Sequence, residues 1–130
     1  MKKTLCLLLA FVFVFSLTSC GVDFDLTNLD AHNAMSTLDL IRSNYEMNEG
    51  KTIKIKGEIS NFTTNMGEHH LVFIKETSHD HSDYIEFILK NPPEEYPEGG
   101  TVITVTGKLS KYEYNGFTYY TLIDAKMKVH

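Results

Sequence analysis

Cysteine is scarce in this chain. The sequence has only two cysteines, Cys6 and Cys20, and both lie within its first 20 residues. Residues 21–130 therefore lack a thiol for a disulfide, for a cysteine-ligated zinc ion or for a cysteine nucleophile. The folded part must be stable through its hydrophobic core alone.

Recognisable catalytic motifs are also missing. The sequence contains no G-x-S-x-G, no H-E-x-x-H, no Walker loop and no dinucleotide-binding glycine pattern. Its acidic residues are scattered over predicted loops and strand faces. We therefore predict a protein that is not an enzyme and that needs no cofactor.

Basic residues are also fewer than acidic residues. The chain has 12 Lys and Arg against 17 Asp and Glu, and removing Lys2 and Lys3 with the first 19 residues leaves a net charge of −7. Nonspecific nucleic-acid binding depends on basic side chains that neutralise phosphates, so we predict no nucleic-acid partner. The same balance argues against a domain that rests on anionic lipid.

The start of the chain has the pattern of an export signal. Lys2 and Lys3 precede the apolar stretch from Thr4 to Leu17, which is too short to span a bilayer. The sequence Leu-Thr-Ser-Cys at 17–20 resembles a lipobox, in which small residues precede a cysteine that receives a lipid. We predict a signal peptide over 1–19, a palmitate-bearing lipid on Cys20, and a lipoprotein held on the outer side of the cell membrane.

The remaining chain divides into a tether and one domain. Residues 20–35 are polar and acidic and are predicted to be a lipidated tether, whereas 36–130 is long enough for a single domain. Ser36 is the predicted N-cap of a short helix, with Asp39 completing a box-like pair. Asn48 to Gly50 is predicted to end that helix.

Alternation of apolar and polar residues then predicts five strands. The first strand is expected to begin at Lys51. The other four are expected to cover His70–Lys75, Tyr84–Lys90, Thr101–Leu109 and Phe117–Val129. The three prolines all lie in the segment from Asn91 to Gly100, which is predicted to be a loop. Asn115-Gly116 is the strongest hairpin-turn signal in the chain.

Two of these strands repeat one another. Ile53 to Ser60 (IKIKGEIS) recurs as Ile103 to Ser110 (ITVTGKLS), with Gly57 and Gly107 at the same phase. A glycine inside a strand indicates a sharp bend or a close backbone approach, which is how a small sheet closes. We predict a mainly β, five-stranded OB-fold-like barrel with one short N-terminal helix. The alternative is an open α+β sheet with the helix packed on one face.

The same motifs resemble a known family. Gly50 to Gly57 (GKTIKIKG) after a helix, Val105 to Gly107, and Tyr114 to Gly116 before a closing strand are similar to the OB-like domain of the permease-subunit family of bacterial envelope proteins. The resemblance spans about Ser36 to Val129 and implies an OB-like fold and an envelope protein or permease partner. Where that family carries cysteines, this chain has Ser78 to Asp83 without any, and the family's membrane-spanning half is absent.

One loop has the residue types of a metal site. His79, Asp80, His81 and Asp83 lie close together in sequence, and imidazole and carboxylate are ligands of Zn²⁺ and Cu²⁺. His69 and His70 begin the preceding strand. The alternative is a solvated polar loop that binds no ion.

Aromatic residues crowd the last hairpin. Tyr112, Tyr114 and Tyr119, with Phe117 and Tyr120, are candidates for a ligand-stacking surface. The alternative is cross-strand aromatic packing that holds the hairpin in register. Two functions follow as expectations: a lipid-anchored binding or adaptor module that is not an enzyme, or a metal-handling lipoprotein that captures Zn or Cu for a transporter through its 79–83 loop.

The predicted lipid attachment is tested by labelling cells with radioactive palmitate. Wild-type protein should take up label, and Cys20→Ser should take up none and remain at precursor size, because the serine hydroxyl is not alkylated. Equal label in both proteins would contradict the assignment.

Overall fold

The computed structural model describes residues 21–77 and 81–130. The predicted signal peptide, Cys20 and the loop residues His79 and Asp80 lie outside the described residues. Within the described ranges, no helix is long and apolar enough to cross a membrane.

The described residues form a mainly β structure, as predicted. Its elements are β1 (Phe24–Asp25), α1 (Ala31–Ser43), α2 (Tyr45–Asn48), β2 (Thr52–Thr64), β3 (Gly67–Lys75), β4 (Ser82–Leu89), β5 (Val102–Tyr114) and β6 (Phe117–Val129). The five predicted strands correspond to β2 through β6. The short elements β1 and α2 are additional.

The packed part of the chain begins earlier than the predicted boundary at residue 36. Asp23 donates its backbone N–H to the carbonyl of Thr52 at 2.9 Å, and Phe24 pairs with Ile53 in parallel β1 and β2. Leu26 is buried in the core. Ala34 is also buried, and Phe24, Ala31 and Met35 pack partly buried against the core, whereas Leu29 is exposed. The segment 23–35 therefore packs with the folded residues instead of forming a free tether.

The helix also starts earlier than predicted. Asp30, not Ser36, caps α1: its carboxylate accepts from the backbone N–H of Asn33 at 2.8 Å and from the Asn33 side-chain amide at 3.1 Å. Asp39 instead lies 3.9 Å from Arg42. A carboxylate satisfied twice at the helix start makes the better cap. The predicted single helix is divided in two, because α1 ends at Ser43 and α2 follows over Tyr45–Asn48. The helical segment as a whole stops at Asn48, as predicted, and Gly50 has a φ of +77°.

The sheet pairings form a circuit. β2 pairs antiparallel with β3 and, through its first half, with β5. The pairs β3–β4 and β5–β6 are antiparallel, and β4–β6 is parallel. Pairing therefore runs β2–β3–β4–β6–β5 and returns to β2, with β1 added beside β2.

The long hairpin β5–β6 turns where the sequence predicted. Asn115 and Gly116 have φ values of +52° and +80°, as a two-residue type I′ turn requires. Because this turn fixes the register, Tyr112 faces Tyr119 and Tyr114 faces Phe117 across the hairpin.

Gly57 and Gly107 both lie at close approaches, as the repeat predicted. β2 changes its antiparallel partner from β5 to β3 at Glu58, next to Gly57. A Cβ at Gly57 would lie 2.0 Å from the carbonyl oxygen of Phe73. A Cβ at Gly107 would lie 2.9 Å from the Cβ atoms of Leu122 and Ala125, opposite an irregularity in β6.

The core fills the space between the paired strands and α1. One helix face supplies Ala34, Leu38 and Ile41, and the strands supply alternating side chains such as Ile53 and Ile55. All the buried core residues of the described chain lie between Leu26 and Ala125. A chain that begins at Gly21 therefore retains the whole described core.

The close approach at Gly57 predicts a large loss of stability for Gly57→Ala. The added methyl group collides with backbone that cannot move freely, so we expect a cost of about 3 kcal/mol in urea unfolding. Gly99→Ala is the matched control, because its Cβ would meet nothing nearer than the Ile59 carbonyl oxygen at 3.9 Å. Equal unfolding midpoints for the two variants would contradict the packing described here.

Candidate functional site

A cleft of about 410 Å³ opens between the two long hairpins. The β2–β3 hairpin forms one wall, the β5–β6 hairpin forms the other, and β4 forms the floor. The side chains that line it are mostly aromatic or uncharged and include Phe62, Met66, His69, Tyr84, Glu86, Tyr112, Tyr114, Tyr119 and Tyr120. The structure thus brings all three predicted ligand-binding tyrosines, Tyr112, Tyr114 and Tyr119, to one cavity.

A hydrogen-bond network around Glu86 forms the polar centre of the cleft. His69 Nδ1 lies 2.7 Å from Glu86 Oε2, and the Tyr112 hydroxyl donates to the same oxygen at 3.2 Å. An ionised carboxylate only accepts, so Nδ1 of His69 carries the proton of that bond. His69 Nε2 lies 2.7 Å from the Thr64 hydroxyl, which fixes the ring at both nitrogens.

Burial gives this network its strength. The side chains of His69 and Glu86 are only 13% and 11% exposed. A carboxylate at that depth is costly unless it accepts hydrogen bonds, and hydrogen bonds to a charged group are stronger than neutral ones. Burial, with the neighbouring Glu86 carboxylate, raises the pKa of Tyr112 to about 12. Tyr112 is therefore a neutral donor at physiological pH.

Stacked rings form the walls. Tyr112 and Tyr119 stack across the β5–β6 hairpin with centroids 5.4 Å apart, and Phe62 stacks on His69 at 5.0 Å. Tyr119 and Phe62 are each 42% exposed, so part of each ring remains open to solvent. The cross-strand packing of Tyr112 and Tyr119 is therefore observed, and the ligand-stacking alternative stays a prediction.

One end of the cleft is closed by an ion pair. Arg42 of α1 binds the Asp83 carboxylate, and it also donates to the carbonyl of Tyr84 at 3.1 Å. Arg42 is the one Lys or Arg among the described residues that line the cleft. Because its charge is already matched by Asp83, the cleft offers an anion little free positive charge.

The structure describes two of the four predicted metal ligands, His81 and Asp83. Asp83 is bound to Arg42 and to the backbone N–H of Tyr84, and it also lines a second surface cleft together with His81, His32 and Asp39. The described residues contain no group of three His, Cys, Asp or Glu side chains placed to hold an ion. Because His79 and Asp80 lie outside the described residues, the metal-binding alternative stays a prediction.

The sequence analysis did not assign His69, Glu86 and Phe62 to a site with the tyrosines. Glu86 is the single acidic residue within the apolar run of β4, between buried Ile85 and Phe87. That isolation was the available signal, because a charge between buried positions needs a partner. The partner, His69, lies on β3 and becomes a neighbour only through β3–β4 pairing.

The lining of the cleft is therefore complementary to a ligand that has an apolar ring face as well as hydroxyl groups. Aromatic planes receive the apolar face of such a ligand, and the Glu86 network supplies acceptors and donors for its polar edge. The described lining includes no cysteine, and its one Lys or Arg is paired.

The Glu86 network predicts a late tyrosine titration. In tyrosinate absorbance, Tyr112→Phe should remove a step near pH 12, and Glu86→Gln should move that step lower but still above 10, since burial is the larger cause. Unfolded tyrosine ionises near 10, so the stability that neutral Tyr112 contributes is present below pH 10 and lost as pH rises through 12. Urea-unfolded protein is the control, and wild-type and Tyr112→Phe curves that coincide in the folded state would contradict the network.

In comparisons with known proteins, no protein-family model, no curated protein and no solved structure matches the chain. The resemblance to the permease-subunit family accordingly stays a prediction based on the quoted motifs.

Proposed function

We propose that this protein is a lipid-anchored, extracytoplasmic binding module of the OB-fold type that holds a neutral saccharide in the cleft between its two hairpins. The strand pairings support the barrel. The five long strands pair in a circuit with one parallel contact, β4–β6, and Gly57 and Gly107 allow the close approaches that closure needs.

The position of the cleft supports a binding role. OB-fold barrels bind oligonucleotides or oligosaccharides on their second and third strands, between the loop joining strands one and two and the loop joining strands four and five. In this circuit those strands are β3 and β4, and those loops are the turns at 65–66 and 115–116. The cleft occupies this place, with His69 on β3 and Glu86 on β4 as its polar centre.

The chemistry of the lining favours a saccharide over a nucleic acid. Sugar rings have an apolar face that packs on tyrosine and hydroxyl groups that bond to carboxylate, imidazole and phenol. A phosphate backbone needs free basic residues, but the single Arg42 of the described lining is paired with Asp83. The single observation that carries the proposal is the Tyr112–Tyr119 stack, in which Tyr119 is 42% exposed, directly beside the Glu86 network.

The signal pattern of residues 1–20 supports the location. A basic start, a short apolar stretch and a cysteine after small residues are together typical of an exported lipoprotein. The proposed role is thus capture of an extracytoplasmic saccharide at the membrane surface, for an envelope protein or permease partner.

Tyrosine fluorescence tests the saccharide proposal, because the chain has seven tyrosines and no tryptophan to mask them. The chain from Gly21 is titrated with neutral tetrasaccharides of glucose and of N-acetylglucosamine. We expect saturable quenching, weakened about tenfold or more by Tyr119→Ala, since a stacking ring in a comparable site contributes about 1–3 kcal/mol.

Phe117→Ala is the matched control, because Phe117 is an exposed aromatic residue of the same hairpin that does not line the cleft. Its affinity should equal that of the wild type. Quenching by neither saccharide, or equal losses in the two variants, would overturn the proposal, and tight binding of a single-stranded oligonucleotide would replace it with a nucleic-acid role.

A further inference from the structure

Five lysines lie on one outer face of the sheet. The register places Lys54 opposite Thr106, which is opposite Lys126, and it places Lys56 opposite Thr104, which is opposite Lys128. Lys108, opposite Thr52, extends the group. We call these five lysines the basic face: Lys54, Lys56, Lys108, Lys126 and Lys128.

Strand geometry makes this a compact cationic surface. Opposed residues of neighbouring strands point to the same side, so Lys54 and Lys126 are separated by one strand, about 10 Å. Lys54 and Lys56 are two residues apart along β2, about 7 Å. Their neighbours inside the barrel, Ile53 and Ile55, are fully buried, which fixes the lysines outward.

The basic face is positively charged, whereas the rest of residues 20–130 has a net negative charge. Residues 20–130 have ten Lys and Arg, and half of them lie here, although the net charge is −7. Among the ion pairs between described residues, none involves a lysine of this face. Acidic residues border this face as well: Asp23 is bound to Thr52, Asp25 lies beside Lys54, Asp124 lies in the β6 irregularity, and Glu58, two residues beyond Lys56, is paired with Lys75.

The start of the chain enters the sheet beside this face. The backbone N–H of Asp23 donates to the Thr52 carbonyl, and the backbone N–H of Thr52 donates to the Asp23 carboxylate. Asp25 lies opposite Lys54 in the register of β1 and β2. Three residue steps join position 20 to Asp23, a reach of about 10 Å at most. A lipid at position 20 would therefore leave no long spacer between the membrane surface and the domain.

We propose that the basic face docks on the anionic phospholipid surface of the membrane that holds the protein. This inference rests on the proposed lipid attachment at Cys20. It reverses the expectation from net charge, because at physiological ionic strength charges are screened beyond about 8 Å, and only the side chains nearest the lipid contribute. The hairpin cleft, lined by the opposite ends of β2, β5 and β6 and by β3 and β4, then remains open to the extracytoplasmic space.

The test supplies the anchor chemically, so it does not depend on lipidation in cells. A chain that begins at Cys20 has a single thiol, which is coupled to a maleimide lipid in vesicles. Lysine acetylation by a soluble reagent is compared between vesicles of phosphatidylcholine alone and vesicles with about one third phosphatidylglycerol. We expect the basic face to be modified at least about fivefold more slowly on the anionic vesicles, and Lys111, which lies over the Tyr45 ring away from this face, to be modified equally on both.

Two double variants make the test specific. Lys56→Gln/Lys128→Gln should remove the protection of Lys54 and Lys126, whereas Lys75→Gln/Lys111→Gln, with the same change in net charge, should preserve it. Equal acetylation on both vesicle types would overturn docking. Protection on phosphatidylcholine vesicles by soluble polyglycerol phosphate, without protection by phosphatidylglycerol, would assign the face to an anionic polymer instead. If palmitate does not label Cys20 in cells, the proposed lipid anchor is wrong. The vesicle experiment still tests docking of the basic face, because its lipid is attached chemically.

Discussion

The pairing of β2 with β5 determines the rest of this structure. Each strand has 13 residues, but they pair with each other only over Thr52–Glu58 and Val102–Lys108. Beyond that stretch β2 pairs with β3 and β5 pairs with β6, so the two hairpins separate. The paired halves enclose the core, and the separated halves leave the cleft between them. Gly57 marks the change of partner, because only a residue without a side chain fits against the Phe73 carbonyl.

The buried carboxylate of Glu86 links this architecture to the proposed function. Glu86 lies in the middle of β4, between β3 and β6, and its side chain is covered by those of His69 and Tyr112. A purely structural strand would place an apolar side chain there, since a buried charge costs free energy that hydrogen bonds only offset. The His69 and Tyr112 bonds satisfy that charge and point it towards a cavity walled by aromatic rings. A buried charged group that is held by hydrogen bonds is typical of binding sites, where specificity for polar groups is needed.

What could be predicted from the sequence was local. The repeat around Gly57 and Gly107, the Asn115-Gly116 turn and the tyrosines of the last hairpin all follow from neighbouring residues, and the structure contains each of them. What was missed depends on contacts distant in sequence. Two-residue β1 has too short a pattern to be recognised, and Glu86 meets His69 only through strand register. The Asp30 cap was missed for another reason, because Ser36, which lies inside α1 six residues after Asp30, offered a competing cap signal.

The proposed binding site of this protein is the hairpin cleft, with the Glu86 network at its floor. A decisive experiment records backbone amide spectra of isotopically labelled chain from Gly21 with and without a neutral tetrasaccharide. We expect saturable shifts at His69, Glu86, Tyr112 and Tyr119, with Lys56 and Lys128 on the basic face unchanged. Shifts confined to residues outside the cleft, or no shifts at saturating saccharide, would contradict it.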